Sequence, residues 1–278
     1  MNSDSYFRIG TTHDVCEDYA ISGEGPEGAY AVMSDGCSGS PMTDFGSRFM
    51  ALATARLLQE DAKTDAELDV LPQTSLKIAS MMAGAAGLPQ DSLDATLGYV
   101  YEDGNCVFAF LSGDGAIAAK KRNGEIWISI IEYPSNAPPY LSYSLHGERA
   151  ELFLAQTDGC PCIVMTYRST DDGFTLDGIT KFSGMKPHEY MFNNEEYELV
   201  MVMSDGVSTF QKPVENGATK HYENVDPIEI VKELMDIKST RGEFIKRRCK
   251  RVIKNLCLKE GWRHLDDFSV AAIHCNEG

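Results

Sequence analysis

Five short acidic clusters share one local form, a carboxylate at the end of an apolar run, usually beside a glycine. They are Glu17-Asp18, Asp35-Gly36 after Val32-Met33-Ser34, Asp114-Gly115 after Leu111-Ser112-Gly113, Asp205-Gly206 after Val202-Met203-Ser204, and Asp266-Asp267 before Phe268-Ser269-Val270. One Asp-Gly alone is an ordinary turn signal. Five clusters at strand ends mean more, because carboxylates gathered at one edge of a sheet repel each other and lose hydration unless cations neutralise them. Their hard oxygen donors suit Mg2+, Mn2+ or Ca2+. The simplest chemistry is a multinuclear divalent-metal site, and a glycine after the aspartate lets a backbone carbonyl approach as a further ligand.

Placing these carboxylates requires strands. Apolar β-type runs cover 29–34, 95–101, 106–112, 116–121, 125–131, 162–167, 198–204 and 268–274. Asp103-Gly104 and Asn123-Gly124 accept the positive φ of tight hairpin turns, so the runs beside them pair antiparallel. Thr43 is read as the cap of a helix whose apolar stripe is Phe45, Phe49, Leu52, Ala53 and Leu57. A second helix is expected over 75–86, and two more over 227–258 with a break near 239–242. The stretches 133–143 and 170–196 are read as loops or excursions from the sheets. Helices early and late, with hairpin strands between them, predict an α+β chain of antiparallel sheets whose outer faces the helices cover. With no linker or repeat, residues 1–278 are expected to form a single domain.

Charge and composition exclude other classes. Lys and Arg number 25 against 42 Asp and Glu, a net charge of −17, which argues against tracking nucleic-acid phosphates or holding an anionic membrane. No run approaches the roughly 18–20 apolar residues that span a bilayer. The first residues lack the basic and apolar regions of an export signal, so a cytoplasmic location is expected. The eight cysteines are therefore read as reduced thiols, and Cys160-Pro161-Cys162 has no companion at zinc-ligand spacing. Lys246, Arg247, Arg248, Lys250, Arg251 and Lys254 form a basic cluster, read as a solvated helix face. His146, His188, His221, His264 and His274 show no ligand pattern.

The order of the acidic clusters resembles that of the metal-dependent Ser/Thr protein phosphatases of the 2C type, over nearly the whole chain. Glu17-Asp18, Asp35-Gly36, Asp94-Ala95-Thr96, Ser112-Gly113-Asp114-Gly115, Ser204-Asp205-Gly206 and Asp266-Asp267-Phe268-Ser269 carry that resemblance. It implies a four-layer αββα sandwich with two or three Mn2+ or Mg2+ ions at one edge. Asp35 would bridge two ions, with Glu17 and the Gly36 carbonyl on one and Asp205 and Asp266 on the other. Asp114, with Asp205, would serve a weaker third ion, and Asp18 would hold a metal-bound water. Water polarised between two dications becomes hydroxide near neutral pH and attacks phosphorus in line. The implied substrate is a phosphoprotein, opposing a Ser/Thr kinase.

Three positions depart from the family pattern. His13 stands where many members place an arginine on phosphate, and His13 is thus the candidate substrate contact. Cys37 replaces a histidine that serves as candidate general acid, so the acid is Cys37, His13 or a water. Asp267 takes the place of an asparagine, which leaves the choice between Asp266 and Asp267 as ligand to register alone. His13 with Gly36-Cys37 resembles a bacterial branch. Two rival functions are a non-catalytic regulator on the same fold and a hydrolase of small phosphoesters. The segment 170–196 is the candidate for substrate selection.

Overall fold

The computed structural model describes residues 2–26, 28–60, 63–134, 137–216 and 219–275. The chain begins with β1 (Asn2–Arg8), β2 (Asp18–Glu24) and β3 (Ala29–Gly36), followed by helices α1 (Thr43–Glu60) and α2 (Asp65–Ala85). Four strands form two hairpins: β4 (Ala95–Glu102) with β5 (Cys106–Ser112), and β6 (Gly115–Lys121) with β7 (Ile126–Glu132). A short helix α3 (Gly147–Gln156) precedes β8 (Pro161–Thr170), β9 (Gly173–Ser183), β10 (His188–Asn193) and β11 (Tyr197–Met203). After β12 (Phe210–Asn216) and β13 (Thr219–Asn224) come α4 (Pro227–Met235), α5 (Phe244–Ile253), β14 (Arg263–His264) and β15 (Phe268–His274).

The strands build a seven-stranded sheet, β1-β15-β11-β6-β7-β8-β9, a five-stranded sheet, β10-β5-β4-β3-β2, and a small sheet, β13-β12-β14. The strand pairs among the described residues are all antiparallel. Ala31, Met33, Val100, Ala109 and Leu111 of one large sheet meet Ile117, Ala119, Val200, Val202, Ala271 and Ile273 of the other, forming the sandwich interior. Outside it, Val32, Leu97, Tyr99 and Phe110 pack under α1 and α2, while Met201, Met203, Val270 and Ala272 pack under α4 and α5. That is the expected order of layers, helix, sheet, sheet, helix, and it follows from strands buried on both faces. In β3 and β4 nearly every residue is buried, which explains their continuous apolar runs.

Both expected hairpin turns form, with Gly104 and Gly124 each at φ 94°. Helix α1 departs from the expected stripe: Phe45 and Leu52 are exposed, and the buried face is Gly46, Ser47, Met50, Ala51, Thr54 and Leu58. The reason is proximity. A Cβ on Gly46 would lie 1.5 Å from the Ser92 carbonyl oxygen, so the contact selects small residues over large apolar ones. Thr43 is the first residue of α1, but its hydroxyl donates to Glu17 and to the Cys37 carbonyl.

Helix α2 begins at Asp65, ten residues before expected, because Thr64 and Glu67 close a capping box; the internal Pro72 masks this start in the sequence. The stretch 170–196 is no loop: β9 pairs with β8 and β10 with β5, each edging a large sheet, β9 exposed along most of its length and β10 at alternate residues. The stretch 133–143 does leave the sheet, with Ser135 and Asn136 outside the described residues, and ends in a 3-10 turn, Leu141–Leu145. The two late helices form as expected, and the basic residues of α5 lie on its outer side, with Arg248 paired to Glu233 at 3.0 Å.

Candidate active site

Antiparallel register sets the first carboxylates. Asp18 at the start of β2 stands opposite Asp35 near the end of β3, which in turn stands opposite Thr96 on β4. Asp114 occupies the tight turn between β5 and β6, made possible by Gly113 and Gly115 at φ 112° and 132°. Asp205 opens a 3-10 turn directly after β11, and Asp266 lies just before β15. Four strand ends from the two large sheets therefore meet at one edge. Asp35, Asp114, Asp205 and Asp266 line a single pocket of about 320 Å3, together with Gly36, Cys37, Thr96 and Tyr140.

This pocket is electrostatically unbalanced. Burial, reinforced by Asp18 and Asp205, holds Asp35 well above the usual carboxylate range. Burial and then Asp114 and Asp266 do the same to Asp205. Asp114 is pushed up to about 6, chiefly by burial, against a hydrogen bond from Thr96. Asp18, fully buried beneath them, is pushed up to about 7 by burial, although Asp35, Ser269 and Ser204 bond to it and oppose the rise. The Ser204 hydroxyl donates to Asp18 Oδ2 at 2.9 Å, whereas Asp18 Oδ1 is buried without a hydrogen-bond partner.

Glu17, Asp18 and His13 are not among the residues that line this pocket but neighbour those that do. Glu17 Oε1 accepts the Thr43 hydroxyl at 2.9 Å. His13 has a different setting from the expected phosphate contact: its Nε2 is 3.2 Å from Asp266 Oδ1, and its Nδ1 is 3.3 Å from Asp267 Oδ1 and 3.8 Å from Glu17 Oε2. Burial pulls its pKa down, but Asp266, Asp267 and Glu17 together outweigh burial and raise it. The two adjacent aspartates are separated by environment. Asp266 faces the pocket, while Asp267 is 2 % exposed and accepts the backbone N–H groups of Gly10 at 2.7 Å and Glu17 at 2.5 Å. Donor atoms of His13, Glu17 and Asp267 fall within 4.8 Å of one another, though both Asp267 oxygens already hold that backbone.

Several functional neighbours escaped sequence reasoning. Thr43 and Ser204 orient carboxylates through hydroxyls that look like a cap and a strand terminus in sequence. Pro138 and Tyr140 line the pocket with Cys37, the Tyr140 hydroxyl lying close to the Cys37 thiol, and only the Pro-containing 133–143 stretch hinted at them. Burial, with Cys37, Asp114 and Asp35 nearby, raises the Tyr140 hydroxyl so that it stays protonated. Within the segment 170–196, the candidate for substrate selection, Phe182, His188 and Tyr190 line a further cavity of about 380 Å3 with Cys162, and Lys181 pairs with Ile163, which lines a cavity with Asp114 and Asp205. All eight cysteines are free thiols.

Comparison with known proteins bears on the family and the fold. The sequence profile described as protein phosphatase 2C matches residues 10–243. No curated protein sequence matches. Among solved structures the chain is similar to the serine/threonine phosphatase Stp1 from Staphylococcus aureus, with 14 % identity and a TM-score of 0.56 over 100 % of this chain and 96 % of that one. It is also similar to the S. agalactiae serine/threonine phosphatase, at 14 % identity and TM-score 0.58 over 99 % of each chain. Mycobacterium tuberculosis PstP/Ppp gives 16 % identity and TM-score 0.54 over 99 % and 97 %. At such identities the likeness is one of fold, whereas the profile spans most of the sequence and all but one of the five acidic clusters. The chain belongs to the protein phosphatase 2C family.

Proposed function

We propose that this chain hydrolyses phosphoserine and phosphothreonine in proteins, using two or three Mn2+ or Mg2+ ions held by Glu17, Asp35, the Gly36 carbonyl, Asp114, Asp205 and Asp266. The observation that carries the reading is the convergence of Asp35, Asp114, Asp205 and Asp266 on one pocket, with no lysine or arginine among its lining residues. Carboxylates held so far above their usual range call for positive charge from outside the chain. Their hard oxygen donors, and the unpartnered Asp18 Oδ1 beneath them, fit Mg2+ or Mn2+. When bound, such ions supply Lewis-acid charge that neutralises phosphoryl oxygens and acidifies water.

The protein's own part is positioning and proton transfer. Ser204 orients Asp18, Thr43 orients Glu17, and His13 buttresses Asp266 instead of touching phosphate. Cys37 is the proposed proton donor to the departing serine or threonine oxygen, because it lines the pocket while both His13 nitrogens face carboxylates. Tyr140, protonated and close to Cys37, offers a hydroxyl to the phosphoryl group.

The direct test is turnover of p-nitrophenyl phosphate and of a phosphoserine peptide with Mn2+, abolished by chelator. No turnover with any divalent metal in folded protein would refute the reading. Cys37→Ala is expected to slow the phosphopeptide about 100-fold while slowing p-nitrophenyl phosphate, whose leaving group needs little protonation, only a few-fold. Equal losses on both substrates would remove Cys37 from the role of acid.

A further inference from the structure

Asp94 is 1 % exposed, yet its carboxylate gathers three side chains from two separate segments. The Ser40 hydroxyl donates to Oδ2 at 2.7 Å, the Ser142 hydroxyl to Oδ1 at 2.6 Å, and the Arg149 guanidinium to Oδ2 at 2.5 Å. Its backbone carbonyl accepts the Cys37 N–H at 2.8 Å. These segments are the two walls of the pocket. Ser40 ends the loop of Gly36, Cys37, Ser38 and Gly39 on one side, and Ser142 lies two residues beyond Tyr140 on the other. Arg149, on α3, also pairs with Asp91 at 3.1 Å and lies 4.5 Å over the Tyr143 ring.

The strap over 137–156 is held by apolar and polar contacts together. Helix α3 contains no fully buried residue and its N-terminus has no side-chain cap, while half-buried Phe153 and Leu154 rest on the sandwich interior and Leu141 and Leu145 on the layer under α1 and α2. Two other polar ties, Ser144 to Gln73 at 3.2 Å and His146 to Gln90, are exposed. Asp94 is the buried one, and a carboxylate that accepts both serines and the arginine fixes the separation of the two walls.

We infer that Asp94 and Arg149 form a latch that holds the strap at a set distance from the Cys37 loop and thereby positions Tyr140 for a bound phosphopeptide. Both are positioning residues and neither touches substrate. The catalytic consequence rests on the phosphatase reading above; the latch itself does not.

Arg149→Met, Asp94→Asn and the double variant test it by two readouts. The first is phosphopeptide kinetics: each single variant is expected to raise KM about tenfold with kcat changed no more than about twofold, and the double variant to be no worse than the poorer single one, because both open one latch. Arg149→Lys, which keeps the charge, should recover most of that loss. The second readout is limited proteolysis of metal-free protein, where cleavage within 143–158 should accelerate about tenfold in Arg149→Met. An unchanged KM together with unchanged cleavage, or single-variant effects that multiply in the double variant, would overturn the latch. If wild type showed no phosphatase turnover but Arg149→Met still sped strap cleavage, the functional reading would fall and the latch would stand. Should Asp94→Asn not fold, Arg149→Met, on a partly exposed residue, decides the matter alone.

Discussion

Two groups of buried carboxylates occur near the pocket, and they are treated in opposite ways. Asp94 and Asp267 are answered from within the chain: Asp94 by two serines and an arginine, Asp267 by the backbone N–H groups of Gly10 and Glu17. Asp18, Asp35, Asp114 and Asp205 receive hydroxyls at most and no ion pair among the described residues, so burial and mutual repulsion lift all four. Burying a charge with its own partners stabilises a fold, while burying several without them stores a demand for cations. The contrast separates carboxylates that the chain itself answers from those it leaves to repel one another, which the proposed function assigns to metal, although the residue type is the same.

Four experiments test that contrast, beginning with the largest effect. Asp35→Asn should reduce metal-dependent turnover about 1000-fold or more, and in chelator it should raise the melting temperature, because it removes a carboxylate from a repelling group. A variant with normal turnover, or one less stable than wild type without metal, would place Asp35 with the structural group.

Next comes pH. The four raised groups hold protons in the folded state that they release on unfolding, so the unfolded state binds fewer protons and stability falls as pH rises. The loss starts near pH 4, where an unfolded aspartate titrates, and continues through about 6 for Asp114 and about 7 for Asp18. Thermal melts in chelator should therefore decline from pH 5 to pH 8, and Mn2+ should raise the melting temperature more at pH 8 than at pH 5. A metal effect independent of pH would break the comparison.

Asp267→Ala probes the other group. Leaving the Gly10 and Glu17 N–H groups without their acceptor should cost about 2–3 kcal/mol in chemical denaturation, equally with and without metal. A cost seen only with metal would make Asp267 a ligand. The smallest effect belongs to Ser142→Ala, which removes one neutral donor from Asp94 and should cost about 1 kcal/mol by the same measurement; a neutral result would mean that Arg149 and Ser40 suffice.

Much of this was legible in the sequence for physical reasons. Strands buried on both faces appear as uninterrupted apolar runs, and Asp-Gly at their ends marks where the chain turns and where carboxylates collect. Edge strands β9 and β10 were not legible, because one exposed face and a long polar fraction make them look like loops. The packed face of α1 was misread since a close helix approach at Gly46 rewards small side chains over hydrophobic ones. Asp266 and Asp267 are the same amino acid at adjacent positions, and only burial tells their roles apart. Asp94 carried a motif position but no hint of its partners, which come from 40, 142 and 149 and meet only in three dimensions.

The distribution of pocket residues between the two large sheets also has a consequence for synthesis. Asp35 is supplied by the five-stranded sheet, Asp205 and Asp266 by the seven-stranded one, and the strand that follows Asp266 inserts between β1 and β11. Because β15 leaves the ribosome after every other described strand, a nascent chain already carrying Asp35, Asp114 and Asp205 still lacks the fourth wall of the pocket. On the proposed metal reading, the full set of pocket carboxylates is thus assembled only once β15 has paired with β1 and β11, and a chain that stops before Asp266 is expected to bind metal weakly however well its early hairpins have formed.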